Sequence, residues 1–216
     1  MNIDSRNLIN YFQQVVEMIE KEKDHLSELD RKLGDGDHGV TMSIGFQAVK
    51  DKLDHELLDE EDCSKICIVV ARTFLSAVGS SVGPLYATGF LKGAKVIKNK
   101  RTLDDESLTK FWLAFVDGVK ERGMAKVGDK TMVDTLEPAA NILKEEFEKT
   151  GNFIEAFQYA VDAGRMGMES TQELLSRKGR SSRLGQRSLG VIDPGAASAY
   201  LLLNTFLTSL NSKRGI

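Results

Sequence analysis

Cysteine is almost missing from this chain: among its 216 residues only Cys63 and Cys67 occur. Their i,i+4 spacing puts both on one helix face, whereas a zinc pair wants closer spacing and further ligands, so they read as buried reduced thiols. Long apolar runs are missing too. Segments such as Ile66-Cys67-Ile68-Val69-Val70-Ala71 fall far short of the roughly eighteen residues that span a bilayer, which excludes a transmembrane helix. There is no basic excess: the formal net charge of -3 argues against nucleic acid as a partner, whose footprint is a basic patch on a basic domain. The first residues, Met1 to Arg6, show no basic region followed by an apolar stretch, so no secretory signal is expected and the cytoplasm is the expected compartment. Strand patterns are nearly absent, and neither Gly-Lys-Ser nor Gly-Lys-Thr occurs, so a Walker A phosphate loop is excluded.

What remains is the composition of a soluble globular chain, 41% apolar and 28% charged, long enough for one sizeable domain over residues 1–216. Helical periodicity runs throughout, broken by short glycine-rich joints. Asp4 is placed to cap a first helix that buries Leu8, Ile9, Phe12, Val15, Val16 and Ile19. A second helix is expected after the Gly39 turn, a third from Cys63 to Val78, and a fourth from Leu85 to Ile97 behind Pro84. Thr102-Leu103-Asp104-Asp105 has the form of an acidic cap for a fifth helix that Gly123 ends. A sixth is expected from Thr131 to Lys149, bent at Pro138, a seventh from Phe153 to Leu175, and an eighth from Asp193-Pro194-Gly195. Short joints favour antiparallel sequence neighbours, so the fold class is all-α: an eight-helix up-and-down bundle or closed barrel. In such packing the joints after helices one, three, five and seven share one end. Those are the unusual ones: Leu33 to Gly39, Gly79 to Gly83, Val127 to Lys130 and Gly179 to Asp193.

The first joint brings Asp30, Asp35 and Asp37 close together, and neighbouring carboxylates repel unless cations hold them; hard oxygen donors suit Mg²⁺ or Ca²⁺. A solvated acidic turn has the same composition. Gly34-x-Gly36-x-x-Gly39 spells a dinucleotide fingerprint, but no apolar strand precedes it and its aspartates would face a pyrophosphate. An EF-hand begun at Asp35 puts Phe46 where the bidentate glutamate belongs. Gly79, Ser80, Ser81 and Gly83, leading into a helix, suit an anion-binding N-terminus or a plain tight connection. Gly128-Asp129-Lys130-Thr131 suits a site or an ordinary N-cap. The stretch Lys178 to Ser188 is basic and long for a helix connection, and an arginine there suits bidentate contact with phosphate. His25 and His55 sit in charged helical surroundings and read as solvent-facing, while His38 lies within the aspartate joint, fit for a ligand contact or a structural hydrogen bond.

Taken together and in order, Gly34-Asp35-Gly36-Asp37-His38-Gly39, Gly79-Ser80-Ser81-Val82-Gly83-Pro84-Leu85, Gly128-Asp129-Lys130-Thr131-Met132, Gly179-Arg180-Ser181-Ser182 with Leu184-Gly185, and Asp193-Pro194-Gly195-Ala196 resemble the ADP-binding L subunits of phosphoenolpyruvate-dependent dihydroxyacetone kinase. The resemblance spans essentially the whole chain. It implies an eight-helix barrel with ADP/ATP, tightly bound, and two Mg²⁺ at one end. It implies Asp30, Asp35 and Asp37 as metal ligands, with His38, Gly39, Thr41, Ser80, Ser81, Gly123, Met132, Arg180, Asp193, Pro194 and Gly195 around the nucleotide and Arg180 in the catalytic role. Family members often carry asparagine where Thr41 stands. The implied activity is a phosphotransferase relay: ADP is phosphorylated by the phosphohistidine of an M-type subunit and then passes the phosphoryl group to dihydroxyacetone held by a K-type subunit. Three carboxylates and ADP gather roughly six negative charges, against about five positive from two Mg²⁺ and Arg180, a balance that favours phosphoryl transfer. Two other readings are compatible: a kinase domain acting on another small polyol or ketose, and a nucleotide-binding regulator without activity. Neither nucleic acid nor membrane is an expected partner, and both a monomer and a homodimer fit the sequence.

Overall fold

The computed structural model describes residues 1–212. Eight α-helices follow one another: α1 (Ser5–Leu33), α2 (His38–His55), α3 (Cys63–Ala77), α4 (Val82–Val96), α5 (Asp105–Gly123), α6 (Met132–Thr150), α7 (Phe153–Ser170) and α8 (Pro194–Ser212). Each packs on its sequence neighbours, and α8 returns against α1, so the up-and-down order closes on itself as a barrel. None of the described helices is long and apolar enough to cross a membrane.

The apolar faces meet in one contiguous core. Its centre is aromatic: Trp112 packs edge-on against Phe206 with ring centroids 5.0 Å apart and against Phe115 at 5.3 Å, and Tyr11 meets Phe206 at 4.9 Å. Edge-to-face contacts of this kind add to the apolar burial. Cys63 and Cys67 are buried and unbridged. Pro138 lies inside α6, where it has no N–H to give the Asp134 carbonyl one turn earlier. On that side α7 comes close through Gly167: a Cβ there would overlap the Asp134 carbonyl oxygen and stand 3.1 Å from its carbon.

Two short strands, β1 (Asn2–Asp4) and β2 (Thr102–Asp104), pair antiparallel with Ile3 opposite Leu103. Each strand ends on the aspartate that caps the next helix. Asp4 accepts from the Asn7 N–H (3.0 Å), and Asp104 accepts from the Ser107 N–H (2.8 Å). β2 lies in the joint between α4 and α5, at the opposite end of the barrel from the joints after α1, α3, α5 and α7. The residues that differ from expectation are at boundaries. Asp30 belongs to the last turn of α1, α2 begins at His38 so that Gly39 lies within it, and α7 ends at Ser170, followed by one 3₁₀ turn, Thr171–Glu173.

Candidate functional site

All four odd-numbered joints open onto one cleft of about 530 Å³. Into it come Asp30, Gly34, Asp37 and His38 from the first joint, Ser80 and Ser81 from the second, Gly123, Lys130 and Met132 from the third, and Gly179, Arg180, Asp193, Pro194 and Gly195 from the fourth. Leu33, Val82, Leu85, Val119 and Val133 add an apolar wall.

The aspartate joint is built around Asp30. One of its carboxylate oxygens accepts the backbone N–H of Asp37 (2.9 Å) and of His38 (3.2 Å), which seats the first turn of α2 on the last turn of α1. Gly36, at φ 79°, supplies the left-handed step that turns the chain between them. Asp30, Asp35 and Asp37 thereby each offer an oxygen within 4.8 Å of the others. Burial, and then the neighbouring Asp30, push the Asp37 carboxyl above its ordinary value. Arg180 is the cation beside them: its guanidinium bonds Asp35, and Nη2 lies 3.5 Å from Asp37 Oδ1.

His38 faces inward. Its Nε2 meets Ser198 Oγ at 3.0 Å; that hydroxyl also donates to the Gly195 carbonyl (3.1 Å) and contacts the Tyr86 hydroxyl (2.8 Å). Desolvation lowers the imidazole pKa to about 4, so the ring is neutral near pH 7. The resemblance did not point to Ser198 or Tyr86, which lie 160 and 48 residues from His38, on α8 and α4, just past the ends of two of the motifs.

Helix N-termini border the cleft. The residues preceding α2 and α4, Asp37 and Ser81, make no side-chain cap. Both have right-handed helical dihedrals (φ -96°, ψ -6° and φ -61°, ψ -24°), whereas a capping side chain needs an extended residue to reach back to the second or third N–H. The start of α2 is closed instead by the Asp30 carboxylate, whereas the positive end of α4 has no side-chain cap and borders the cleft, an arrangement suited to an anion. By contrast Thr131 and Asp134 form a closed capping box at α6, and Asp193 accepts the Ala196 N–H (2.8 Å) at the start of α8. Burial raises the Asp193 pKa to about 7.

Lys130, part of the Gly128-Asp129-Lys130-Thr131 stretch, also lines the cleft. It is 1% exposed, has φ 59°, and its Nζ donates to the carbonyls of Thr171 (2.5 Å) and Val191 (2.6 Å). Two expected contacts do not line the cleft. Gly39 is buried against α1, where a Cβ would overlap the Lys23 carbonyl oxygen and stand 2.6 Å from Ser27 Oγ; Thr41 lies in the next part of α2, its N–H bonded to Asp37 O at 2.8 Å. Asp35 stands at the lip, joined to the cleft through Arg180.

Against this geometry, residues 32–208 match the family model described as the DAK2 domain. The chain is 36% identical over 208 residues to the ADP-binding subunit DhaL of PEP-dependent dihydroxyacetone kinase 2 from Listeria innocua, covering 96% of each. It is 34% identical over 203 residues to the ADP-binding subunit DhaL of the Escherichia coli PEP-dependent dihydroxyacetone kinase, covering 94% of this chain and 96% of the relative. Its fold matches, with a TM-score of 0.71 and 22% identity, the crystal structure of the dihydroxyacetone kinase from C. freundii in complex with AMP-PNP and Mg²⁺, over 97% of this chain and 35% of that one.

Proposed function

Because the chain belongs to the DAK2-domain family, we propose that it is the ADP-binding, phosphoryl-transferring subunit of a dihydroxyacetone kinase, working between a phosphohistidine-bearing M-type partner and a K-type partner that holds dihydroxyacetone. The observation that carries the proposal is the convergence of carboxylates, an uncapped helix N-terminus and a cation, Arg180, on one cleft, in a chain that aligns almost end to end with subunits named for binding ADP.

The donor set of Asp30, Asp35 and Asp37 fits Mg²⁺: three hard carboxylates in mutual reach, at the lip of a cleft that leaves room for phosphate oxygens. Two Mg²⁺ held there would neutralise phosphate charge, and ADP bound beside them would serve as the carrier that takes a phosphoryl group from one partner and yields it to the other. The protein's own contribution is binding and orientation. The uncapped N-terminus of α4, with the hydroxyls of Ser80 and Ser81, would present donors to phosphate oxygens, while the first N–H groups of α2 are held by Asp30. The apolar wall of Leu85, Val119 and Met132 excludes water beside the base. His38, neutral and fixed by Ser198, offers a hydrogen bond without adding charge. Arg180 borders the carboxylates, and its planar fork matches the oxygens of a phosphoryl group in transfer.

The test is to purify the protein without added nucleotide, denature it and chromatograph the supernatant. ADP or ATP at close to one per chain is expected; its absence would sink the bound-carrier reading.

A further inference from the structure

We propose that Lys130 is a positioning residue for phosphoryl transfer: its ammonium clasps the neck of the loop that carries Arg180 and so sets where the guanidinium stands. The importance of Arg180 rests on the function proposed above, whereas the clasp rests on geometry alone.

Between α7 and α8 the chain leaves the barrel at Thr171 and returns at Val191. The two stems touch at the neck, where the Gly190 N–H donates to the Gln172 carbonyl (2.7 Å) and the Asp193 N–H to Thr171 Oγ1 (3.0 Å). Lys130 reaches this neck from another element and bridges it, one N–H to Thr171 O on the outgoing stem and another to Val191 O on the returning one. Its neighbour Asp129 takes the Arg177 N–H on its carbonyl at 3.0 Å, so two consecutive residues hold both the neck and the root of the lobe beyond. In that lobe the 3₁₀ turns Arg180–Ser188 are exposed apart from the half-buried Ser181 and Leu184 and the buried Ser188, whose hydroxyl accepts the Ser176 N–H (3.0 Å). Among the described residues, the guanidinium of Arg180 is held by Asp35 and Asp37.

An ammonium is an expensive way to fill a buried space, because desolvation opposes its charge and pushes the Lys130 pKa down. A left-handed backbone at a residue with a side chain adds further cost. An apolar residue would meet neither carbonyl. Only a side chain with several donors at one point joins two carbonyls from opposite stems, and lysine has three. Asp193 and Asp134 supply the compensating negative charge. Because Lys130 also lines the cleft, and the next residue but one, Met132, does so too, the floor under a bound ligand and the loop bearing Arg180 share one anchor.

The experiment compares wild type with Lys130→Met, Arg180→Ala and the double variant. In Lys130→Met, hydrogen exchange at the neck amides of Gly190 and Asp193 is expected to accelerate by about tenfold or more, as for a locally opened segment. Its kcat for phosphoryl transfer should fall by about a hundredfold, the effect of a misplaced group, while ADP affinity and KM change only a few-fold. Since Lys130 acts through Arg180, the double variant should be no slower than Arg180→Ala. Unchanged neck exchange, or losses that multiply in the double variant, would overturn the proposal. If Lys130→Met does not fold, Lys130→Gln, which is shorter and reaches only one stem, is read in the same way. A wild type that transfers no phosphoryl group would defeat the kinase reading, and the exchange measurement would still decide the clasp.

Discussion

Gly39 stands in the middle of the aspartate motif, where the resemblance implies a nucleotide contact, yet its Cα faces α1. Replacing it with alanine introduces a methyl that overlaps the Lys23 carbonyl oxygen and stands 2.6 Å from Ser27 Oγ and 2.9 Å from the Lys23 carbonyl carbon. Ser27 can turn its hydroxyl, but the Lys23 carbonyl is part of the α1 backbone, so the helices must part by about 1 Å. Overpacking of this severity sits at the upper end of the usual range, about 3 kcal/mol. The gain in helix propensity from glycine to alanine offsets about 1 kcal/mol of that. The net loss of about 2 kcal/mol corresponds, for a chain of this size, to a melting temperature lower by about 4–8 °C. Separation of the helices also carries the first turn of α2, with Asp37 and His38, away from Asp30, so bound ADP should fall with stability. The assay is thermal unfolding of nucleotide-free protein together with ADP titration, with Gly79→Ala as the control. A Cβ at Gly79 meets nothing within 4 Å, and its melting temperature should stay within about 2 °C of wild type. A Gly39→Ala protein that melts with wild type but fails to hold ADP would refute the packing argument and restore Gly39 as a direct contact.

Asp35→Asn keeps the shape and removes the charge of the carboxylate at the lip; Mg²⁺-dependent ADP binding should weaken by about tenfold or more by calorimetry, with the circular dichroism spectrum unchanged. His38 has a folded pKa of about 4 against 6.5 for the free side chain, so protonation favours the unfolded chain: this contribution is fully present above pH 6.5 and is lost as the pH falls towards 4. Asp193 has the opposite slope, its raised pKa of about 7 favouring the folded state in acid and losing that advantage as the pH rises through 7. In metal-free, nucleotide-free protein, His38→Gln should therefore lose less stability than wild type between pH 6.5 and 4.5; parallel curves would exclude a buried neutral His38. Ser81→Ala should leave the melting temperature almost unchanged, because Ser81 makes no cap, whereas Asp62→Ala, which removes a carboxylate bonded to the Ser64 N–H at 2.8 Å, should cost about 1 kcal/mol in denaturant unfolding.

The helices were legible in the sequence through their apolar periodicity and local signals such as Asp4 and Asp104 before apolar periodicity, Pro84 and Pro194 in first turns, and Gly123 at the end of α5. The strands were not, since each has three residues and a single inward side chain, Ile3 or Leu103, too little for any alternation to register. Helix order and parity were enough to gather the four glycine-rich joints at one end, which is why most of the candidate residues line one cleft. What stayed hidden is non-local. Lys130 meets carbonyls 41 and 61 residues away, and His38 meets a serine 160 residues away. Gly39 shows the reverse difficulty: a glycine within a ligand-like motif is the same letter whether a phosphate or a neighbouring helix needs the space.

Among the described residues, the two ends of the barrel differ in how they treat helix N-termini. At the end away from the cleft begin α1, α3, α5 and α7, and each is closed by the side chain of its own N-cap: Asp4, Asp62, Asp104 and Asn152. Their dihedrals are extended, their oxygens are spent on backbone N–H groups, and the helix dipoles are quenched locally. At the cleft end begin α2, α4, α6 and α8. Here α6 and α8 are capped, by Thr131 and Asp193, but Asp37 and Ser81 are residue types that cap well and do not, because their backbones are already helical. The carboxylate freed at Asp37 joins the cluster with Asp30 and Asp35, and Ser80, Ser81 and Val82 at the start of α4 line the cleft. One change of backbone conformation thus leaves the Asp37 carboxylate out of its own helix cap and the start of α4 without a side-chain cap, both beside the same cleft, an arrangement suited to a cation next to an anion.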